Sequence, residues 1–310
     1  MWPFEKKDQG TLDTVLQRLL AAQGGGMAVV TPENCLRSPT VQALHTAITN
    51  RISSTPVHVY QTKEVDGKAT KTKLPNHPVS LLLKAPNAYQ TNVNYLADMA
   101  SCLVRYNKYI AIKGAGQTGP IRTLDPIVPS EVAIERDESF KVTFKRKNQE
   151  WPSEKVHYIR GPAKDFVNGE SIVENISTAI ALEIAIEDFG STFFENGAVP
   201  LQIFKAAAGQ SFKTPEDEKN FIADFQEKFT GKKRWRALFL PRGIESDTNG
   251  VQIDNEKAQF LETRKMYQTV IAGAWNVPPH MVGNLESAHY NNVEQQDKDF
   301  TISVIMPYFM

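Results

Sequence analysis

One stretch of the sequence has the spacing of a nucleotide-binding loop. Gly114 to Gly119, with the sequence GAGQTG, is a formal match to the Gly-x-Gly-x-x-Gly fingerprint of dinucleotide-binding proteins. In that fingerprint a helix follows the glycines, so that its N-terminus meets the pyrophosphate. Here Pro120, a short run typical of a β-strand and Pro126 follow instead. A glycine-rich hairpin turn is the favoured interpretation, and a nucleotide-dependent enzyme that uses residues 114–119 is the alternative.

Patterns typical of other catalytic or metal sites are absent from the sequence. The six histidines form no His-Glu-x-x-His pair, and none lies at ligand spacing from Cys35 or Cys102. The chain has no Gly-x-Ser-x-Gly elbow and no phosphate-binding Gly-Lys-Ser/Thr sequence. We therefore predict no catalytic residue, no metal and no cofactor, which favours a structural or binding role over an enzyme.

Positive and negative charges balance over the whole chain but not locally. Lys plus Arg number 35 and Asp plus Glu number 35, so no strong field draws nucleic acid or an anionic membrane to the molecule. Four cations surround one tryptophan, at Lys232, Lys233, Arg234 and Arg236. Such a patch can contact nucleic acid, and a solvated strand edge that discourages aggregation is the other interpretation. Two separate cysteines and the lack of a long apolar run favour a soluble, non-secreted protein.

The clearest long helix is predicted between Ser171 and Asn196. Ser171 and Glu174 have the spacing of a capping box, and Asn196-Gly197 followed by Pro200 is typical of a left-handed stop. Apolar residues form two rows on different sides of this helix: Leu182, Ile186, Phe189 and Phe193, and Ile176, Ile180 and Ile184. A helix that is apolar on two sides needs two sets of neighbours. It is either the central helix of one monomeric domain or a helix that also packs against the next copy in an assembly.

Other helices and strands follow from periodicity and turn signals. Helices are expected at about 11–22 (before the glycines at 24–26), 38–54, 77–87, 92–104 and 254–276, and short antiparallel strands at 57–60, 109–113, 121–124, 132–135 and 141–145. The polar stretch from Thr62 to Lys73 is predicted to be an exposed hairpin loop. Residues 201–240 have a β-α-β pattern. In the helix at 254–276, one face is expected to hold Tyr267, Val270, Ile271, Ala274 and Trp275.

Several short motifs occur in a fixed order along the chain. They are His77-Pro78, Leu81-Leu82, Pro86-Asn87 and Thr91; Phe194 to Pro200 (FENGAVP); Val277 to Gly283 (VPPHMVG); Tyr290 to Glu294 (YNNVE); and Met306-Pro307. Together they resemble the signatures of tailed-phage portal proteins of the HK97 type, over roughly Thr31 to Met310. Two departures are visible: Tyr106 stands where the family pattern has glycine, and Ile172 replaces the usual proline.

The resemblance implies an α+β portal fold with a mixed α/β wing, long stem helices and a small β-α-β clip. The implied divisions are an N-terminal amphipathic arm and glycine linker (1–30), the wing (31–168), a first stem helix (169–199), the clip (200–253), a second stem helix (254–276), a tunnel-loop region (277–290) and the start of an upper helix (291–310). The chain ends inside an apolar run, which predicts that a C-terminal element is missing. Turns are expected at Asn196, Gly197, Pro200, Pro278, Pro279 and Gly283.

The resemblance also implies a role at one vertex of a phage capsid. A dodecameric ring there would conduct double-stranded DNA, without sequence specificity, during packaging and ejection. Its partners would be further copies of itself, the terminase large subunit, a head-tail adaptor and the capsid protein, in the virion and in the host cytoplasm during assembly. Lys232, Lys233, Arg234 and Arg236 would lie on the clip surface that meets the terminase, and the apolar faces of the two stem helices would meet the adjacent subunit. A monomeric phage adaptor is the remaining alternative.

Overall fold

The computed structural model describes residues 29–65, 68–115, 120–163, 165–195, 203–206, 216–217, 219–220, 223, 244–247, 253–284 and 290–309. Two compact units are present. The larger comprises Val29–Ala181 with Tyr267–Met310, and the smaller contains Leu182–Met266. Among the described helices none is long and apolar enough to cross a membrane.

Three helices begin the larger unit: α1 (Pro39–Ser53), α2 (Pro78–Lys84) and α3 (Asn92–Tyr106). Each starts where a side chain accepts a hydrogen bond from a backbone N–H of the first turn, and these caps are Ser38, His77 and Thr91. Proline at the first position of α1 and α2 removes an N–H that has no helical partner anyway. Helices α1 and α3 pack together through buried side chains that include Leu44, Ile48, Leu96, Leu103 and Val104.

The strands of the larger unit form three antiparallel sheets. β1 (Tyr60–Val65) pairs with β2 (Lys68–Lys73) and with no other described strand. β3 (Lys108–Ala115) lies between β4 (Ile121–Ile127) and β8 (Val156–Arg160), and β6 (Val142–Arg146) lies between β5 (Ala133–Arg136) and β7 (Gln149–Pro152). A common apolar cluster joins the last two sheets, with Ile110, Val132, Phe144 and Val156 at its centre.

The structure differs from the sequence prediction between residues 60 and 73. The exposed hairpin predicted from Thr62 to Lys73 is present, but most of its residues are paired in strands β1 and β2, and the strand predicted at 57–60 begins only at Tyr60. Every side chain described in this hairpin is exposed. Exposure explains the error, because a strand without a buried face has no apolar alternation to identify it.

The predicted long helix is interrupted near its start. Ser171 caps a short helix α4 (Ile172–Asn175), and helix α5 (Ser177–Glu195) begins after Ile176, whose backbone is not helical (φ −113°, ψ 22°). The cap was predicted correctly and the continuous helix was wrong. Within α5 the residues from Ile180 to Ile186 are buried on nearly all sides, including Glu183, with Leu182 half-buried.

Strands β9 (Ile203–Ala206) and β10 (Ile244–Asp247) pair antiparallel in the smaller unit. Helical residues are described between them at Glu216, Asp217, Lys219, Asn220 and Ala223. The strand expected at 232–240 lies outside the described residues.

Helix α6 (Ile253–Ala274) agrees with the prediction. A 3-10 helix at Pro279–Val282 follows it, and then α7 (Tyr290–Phe300), a π-helical turn at Thr301–Ile305 and a 3-10 turn at Met306–Tyr308. Arg51 at the end of α1 donates to Asp297 (2.8 Å) and Thr301 (2.9 Å), which fixes α7 against the first helix.

Candidate assembly and channel elements

The glycine-rich stretch lies between two paired antiparallel strands, and residues 116–119 fall outside the described residues. Gly114 lies in β3, and β4 begins at Ile121, so a strand and not a helix follows the glycines. Gly114 faces Thr123 so closely that a Cβ would overlap the threonine hydroxyl. Because β4 stands where the fingerprint requires a helix N-terminus to meet the pyrophosphate, the dinucleotide interpretation of this stretch is wrong.

In the larger unit Cys35 is buried, and Cys102, His45 and His157 are half-buried. Burial raises the pKa of both Cys35 and Cys102 to about 11, so the thiols stay protonated and unreactive. His45 Nε2 lies 2.9 Å from Ser101 Oγ, and His157 Nδ1 lies 3.4 Å from the Tyr95 hydroxyl. Among the described residues no group of His, Cys, Asp and Glu could hold a metal ion.

The two half-buried histidines should make the fold sensitive to acid. Burial first, and then the positive charge of Arg105 for His45 and of Lys113 for His157, lowers the pKa of each imidazole below its usual 6.5. Below about pH 6.5 the unfolded chain therefore binds more protons than the folded chain, and stability falls as the pH falls. We expect up to about 1.4 kcal/mol per pH unit for each histidine that stays neutral when folded.

Urea unfolding between about pH 7.5 and about pH 5.5 measures this dependence, because few carboxylates titrate in that range. The double variant His45→Gln/His157→Gln should show a shallower dependence than the parent. His58→Gln, at an exposed ring, is the matched control. A double variant whose stability still falls as steeply as that of the parent would show that neither histidine carries the effect.

Asn107 links α3 to strand β3 and forms hydrogen bonds to the residues that precede α4. It follows the last residue of α3 in the left-handed conformation (φ 54°), and it is 4% exposed. Its amide donates to the carbonyl oxygens of Pro162 (3.2 Å) and Glu170 (2.8 Å), while its own carbonyl accepts from the N–H of Gly161 (3.0 Å). A Cβ at Gly161 would overlap the Asn107 side chain, and one at Gly169 would overlap its carbonyl oxygen.

This junction explains both departures from the family pattern. Tyr106 is the last residue of α3 and is buried, so the left-handed position falls on Asn107, and asparagine tolerates that conformation. Ile172 occupies the first position of α4, where proline is favoured but not needed. Ser171 still provides the cap, and its hydroxyl also donates to the carbonyl oxygen of Arg105 (2.7 Å).

The Pro-Asn motif joins the α2–α3 connection to β4. Asn87 is 7% exposed, and its Oδ1 accepts from the backbone N–H of Gln90 (2.8 Å). Its Nδ2 donates to the carbonyl oxygen of Leu124 (3.0 Å), and the Leu124 N–H donates to the Pro86 carbonyl (2.7 Å). These residues position the connection that leads to the cap at Thr91.

The second proline motif turns the chain from α6 towards α7. Pro279 begins the 3-10 helix, and Gly283 ends it with φ 90°, a conformation that glycine adopts freely. His280 Nδ1 lies 3.0 Å from Gln296 Oε1. A cleft of about 330 Å³ lies beside this turn, lined by Thr269, Gly273, Asn276, Val277, Pro278, Pro279, Gln296, Asp299, Phe300 and Ser303.

The residues predicted to meet another subunit do not share one environment. Ile186 is 1% exposed and Trp275 is 5% exposed, and the Trp275 indole donates to the carbonyl oxygen of Val104 (3.2 Å). Both side chains are already used inside one chain, so we correct their assignment as interface residues. Leu182 and Tyr267 are half-buried, and the side chains of Phe189 and Phe193 lie outside the described set.

Helix α6 carries exposed apolar side chains that the sequence prediction had not separated from its buried face. Leu261, Met266 and Val270 are 52%, 44% and 49% exposed. Val270 was expected to lie beside Ile271 and Trp275, which are buried. Helical geometry could have shown the difference, because adjacent residues point about 100° apart. In the smaller unit, the Glu187 carboxylate of α5 pairs with Arg264 of α6 (2.6 Å).

Several predicted site residues lie outside the described residues. They are Asn196, Gly197, Pro200, Lys232, Lys233, Arg234 and Arg236. Their assignments as turns and as a clip surface remain predictions.

Comparison with known proteins identifies the class. The family model described as "Phage portal protein" matches residues 39–310. The portal protein of Enterobacteria phage HK97 is 23% identical over 288 residues, which cover 91% of this chain and 67% of that protein. A probable portal protein of Streptomyces phage phiC31 is 26% identical over 151 residues, covering 46% of this chain and 31% of that protein.

Solved structures show the same fold. An HK97-family phage portal protein from Corynebacterium diphtheriae superposes with a TM-score of 0.63 at 16% identity, covering 89% of this chain and 85% of that one. A chain from the neck of a native gene transfer agent particle, computed with C12 symmetry, gives 0.58 at 18% identity, covering 95% and 82%. The chain belongs to the phage portal protein family, and its fold is the mixed α and β fold of the HK97 type.

Proposed function

We propose that this protein forms a ring-shaped channel at a capsid vertex, through which double-stranded DNA is packaged and later ejected. The family match over residues 39–310 carries the proposal, and the fold shared with a chain from a C12-symmetric particle neck supports it. The role is structural and not enzymatic. The ring is a dodecamer at the capsid vertex of the virion, and it assembles in the host cytoplasm.

The division into parts follows the portal plan. Residues 31–168 form the wing, and residues 200–253 form the clip. The helices at 169–199 and 254–276 form the stem. Lys232, Lys233, Arg234 and Arg236 give the clip a cationic surface for the terminase large subunit. The capsid protein and a head-tail adaptor are the other protein partners. The balanced net charge suits a conduit, because dense cationic contacts would retain the DNA that has to slide.

Ring formation is the property to test first. Mass photometry and negative-stain imaging of the 310-residue chain, and of the longest product of its gene, should show rings with a central hole. Monomers from both at every concentration tested would overturn the proposal and favour a monomeric adaptor.

The exposed side of α6 is the surface that we assign to contact between subunits. Neighbours in a closed ring meet through two different surfaces, and an exposed apolar helix face can supply one of them. Val270 is 49% exposed, and a Cβ at Gly273, one turn further along, would meet nothing within 4 Å. Both positions therefore have room for a neighbouring chain.

Replacing Val270 with glutamate should weaken ring assembly without unfolding the chain. A carboxylate would have to leave water to enter the contact, and a loss of about 1.4 kcal/mol already shifts the assembly midpoint tenfold in concentration. Mass photometry over a concentration series measures the midpoint. Val93→Glu, at a 54% exposed valine in the first turn of α3, is the control. An unchanged midpoint for Val270→Glu would remove α6 from the interface.

A further inference from the structure

The β1–β2 hairpin is a cationic element on the surface of a chain with no net charge. Its strands pair in six steps, from Tyr60↔Lys73 to Val65↔Lys68. Residues 60–64 and 69–73 are all exposed, and among their side chains are three lysines and a single acid, Glu64. The sequence adds Asp66 and Lys68 at the turn, so residues 60–73 contain four lysines and two acids, a net charge of +2. Because the whole chain is neutral, any field from this hairpin is local.

Packing within the chain does not explain the residues of this hairpin. An isolated two-stranded hairpin is marginally stable, and this one buries none of its described side chains. Its strands pair only with each other in the described structure. Lysines along free strand edges also discourage pairing with a second copy. The surface is better suited to a polyanion than to another β-strand.

The register places Lys71 and Lys73 on one face, together with Glu64. Residues that pair across an antiparallel ladder share a face, so Lys71 lies with Thr62, and Lys73 lies with Tyr60. Lys73 Nζ is 3.1 Å from His58 Nε2, which holds that cation at the base of the hairpin. Two residues along a strand span about 6.8 Å. This distance is about twice the 3.4 Å rise per phosphate along one DNA strand.

We propose that the β1–β2 hairpin is a weak, sequence-independent contact for the phosphate backbone of duplex DNA. The proposal rests on the proposed function as a DNA conduit. Lys71 and Lys73 supply cations on one face, and Lys63 supplies one on the other. One hairpin neutralises few phosphates and therefore binds weakly. In a ring, the hairpins of the other copies are held near the same DNA at a high effective concentration, so their contacts add to the affinity. Weak contacts of this kind hold DNA near the ring without stopping its movement.

Binding of a short fluorescently labelled duplex, measured by anisotropy over a salt series, tests the hairpin. The triple variant Lys63→Gln/Lys71→Gln/Lys73→Gln is compared with Lys141→Gln/Lys147→Gln/Lys155→Gln, which removes the same charge from exposed sites elsewhere. At about 50 mM salt the hairpin variant should bind at least about tenfold more weakly. The slope of log K against log salt should become shallower by about two to three, and the control should stay within about threefold of the parent.

Three results would overturn the proposal. Equal losses in both variants would show an effect of net charge alone, and unchanged binding in the hairpin variant would show that the hairpin does not meet DNA. Loss of rings with DNA binding intact would make the hairpin a contact between copies. Mass photometry of the same samples distinguishes these results from failure of the proposed function. If rings form and bind DNA without the hairpin lysines, the hairpin proposal is wrong and the proposed function as a DNA conduit is unaffected. Thermal unfolding confirms that the exposed substitutions leave the fold intact.

Discussion

Replacing Trp275 with alanine is expected to lower the free energy of unfolding by about 3–5 kcal/mol, the usual cost of removing a buried aromatic side chain. The indole is 5% exposed, and its Nε1 donates to the carbonyl oxygen of Val104. This carbonyl lies in the last turn of α3, where carbonyl oxygens have no N–H donor within the helix. The substitution would leave both a cavity and an unpaired buried acceptor. Urea denaturation followed by circular dichroism measures the change.

Two further variants separate packing from hydrogen bonding at Trp275. Trp275→Phe keeps most of the apolar area and loses the donor, so a loss of about 1–2 kcal/mol is expected. Val270→Ala, at an exposed position on the preceding helix α6, should change stability by less than about 0.5 kcal/mol. If Trp275→Ala cost no more than Val270→Ala, the tryptophan would not be a packing residue. It would then again be a candidate for contact with a neighbouring subunit.

Local chemistry made the helix starts predictable. Ser38 before Pro39 and Ser171 before Glu174 act as the caps that their spacing indicates, because a cap depends on residues three or four positions apart. The break at Ile176 has no such signal. Isoleucine has a middling helix propensity and no glycine or proline stands at the break, so the sequence alone does not predict the non-helical backbone of Ile176.

Apolar periodicity identifies a buried face without identifying what covers it. The two apolar rows of α5 suggested a second copy as a neighbour, yet residues from Ile180 to Ile186 are buried on nearly all sides in one chain. At the end of α6 the same uncertainty put Val270 and Trp275 on one face, while the structure has Val270 exposed and Trp275 buried. Only the three-dimensional neighbours separate these cases.

In the β1–β2 hairpin, apolar periodicity gives no signal for the strands. Strand prediction depends on alternation between apolar and polar residues, and residues 60–73 are polar on both faces. Threonine at positions 62, 70 and 72 favours a strand, but this preference is weak beside a missing apolar face. The spacing of Lys71 and Lys73 was visible in the sequence, and its meaning depended on the strand pairing.

Replacing Gly169 with alanine is expected to destabilise the larger unit by about 2–3 kcal/mol. A Cβ there would overlap the carbonyl oxygen of Asn107, a backbone atom that cannot rotate away. Asn107 cannot shift easily either, because its amide is held by Pro162 and Glu170 and its carbonyl by the N–H of Gly161. The connection into α4 would have to move. Equilibrium unfolding in urea measures the cost.

Gly273→Ala provides a control of opposite sign for the same chemical change. Gly273 lies inside α6, and a Cβ there meets nothing within 4 Å. Alanine should stabilise this helix by about 0.5–1 kcal/mol, because glycine loses more conformational freedom on folding. The two substitutions add the same methyl group, so opposite effects can come only from the surroundings. If Gly169→Ala were neutral, the residues around Asn107 would not be tightly packed, and the connection into α4 would be set by other contacts.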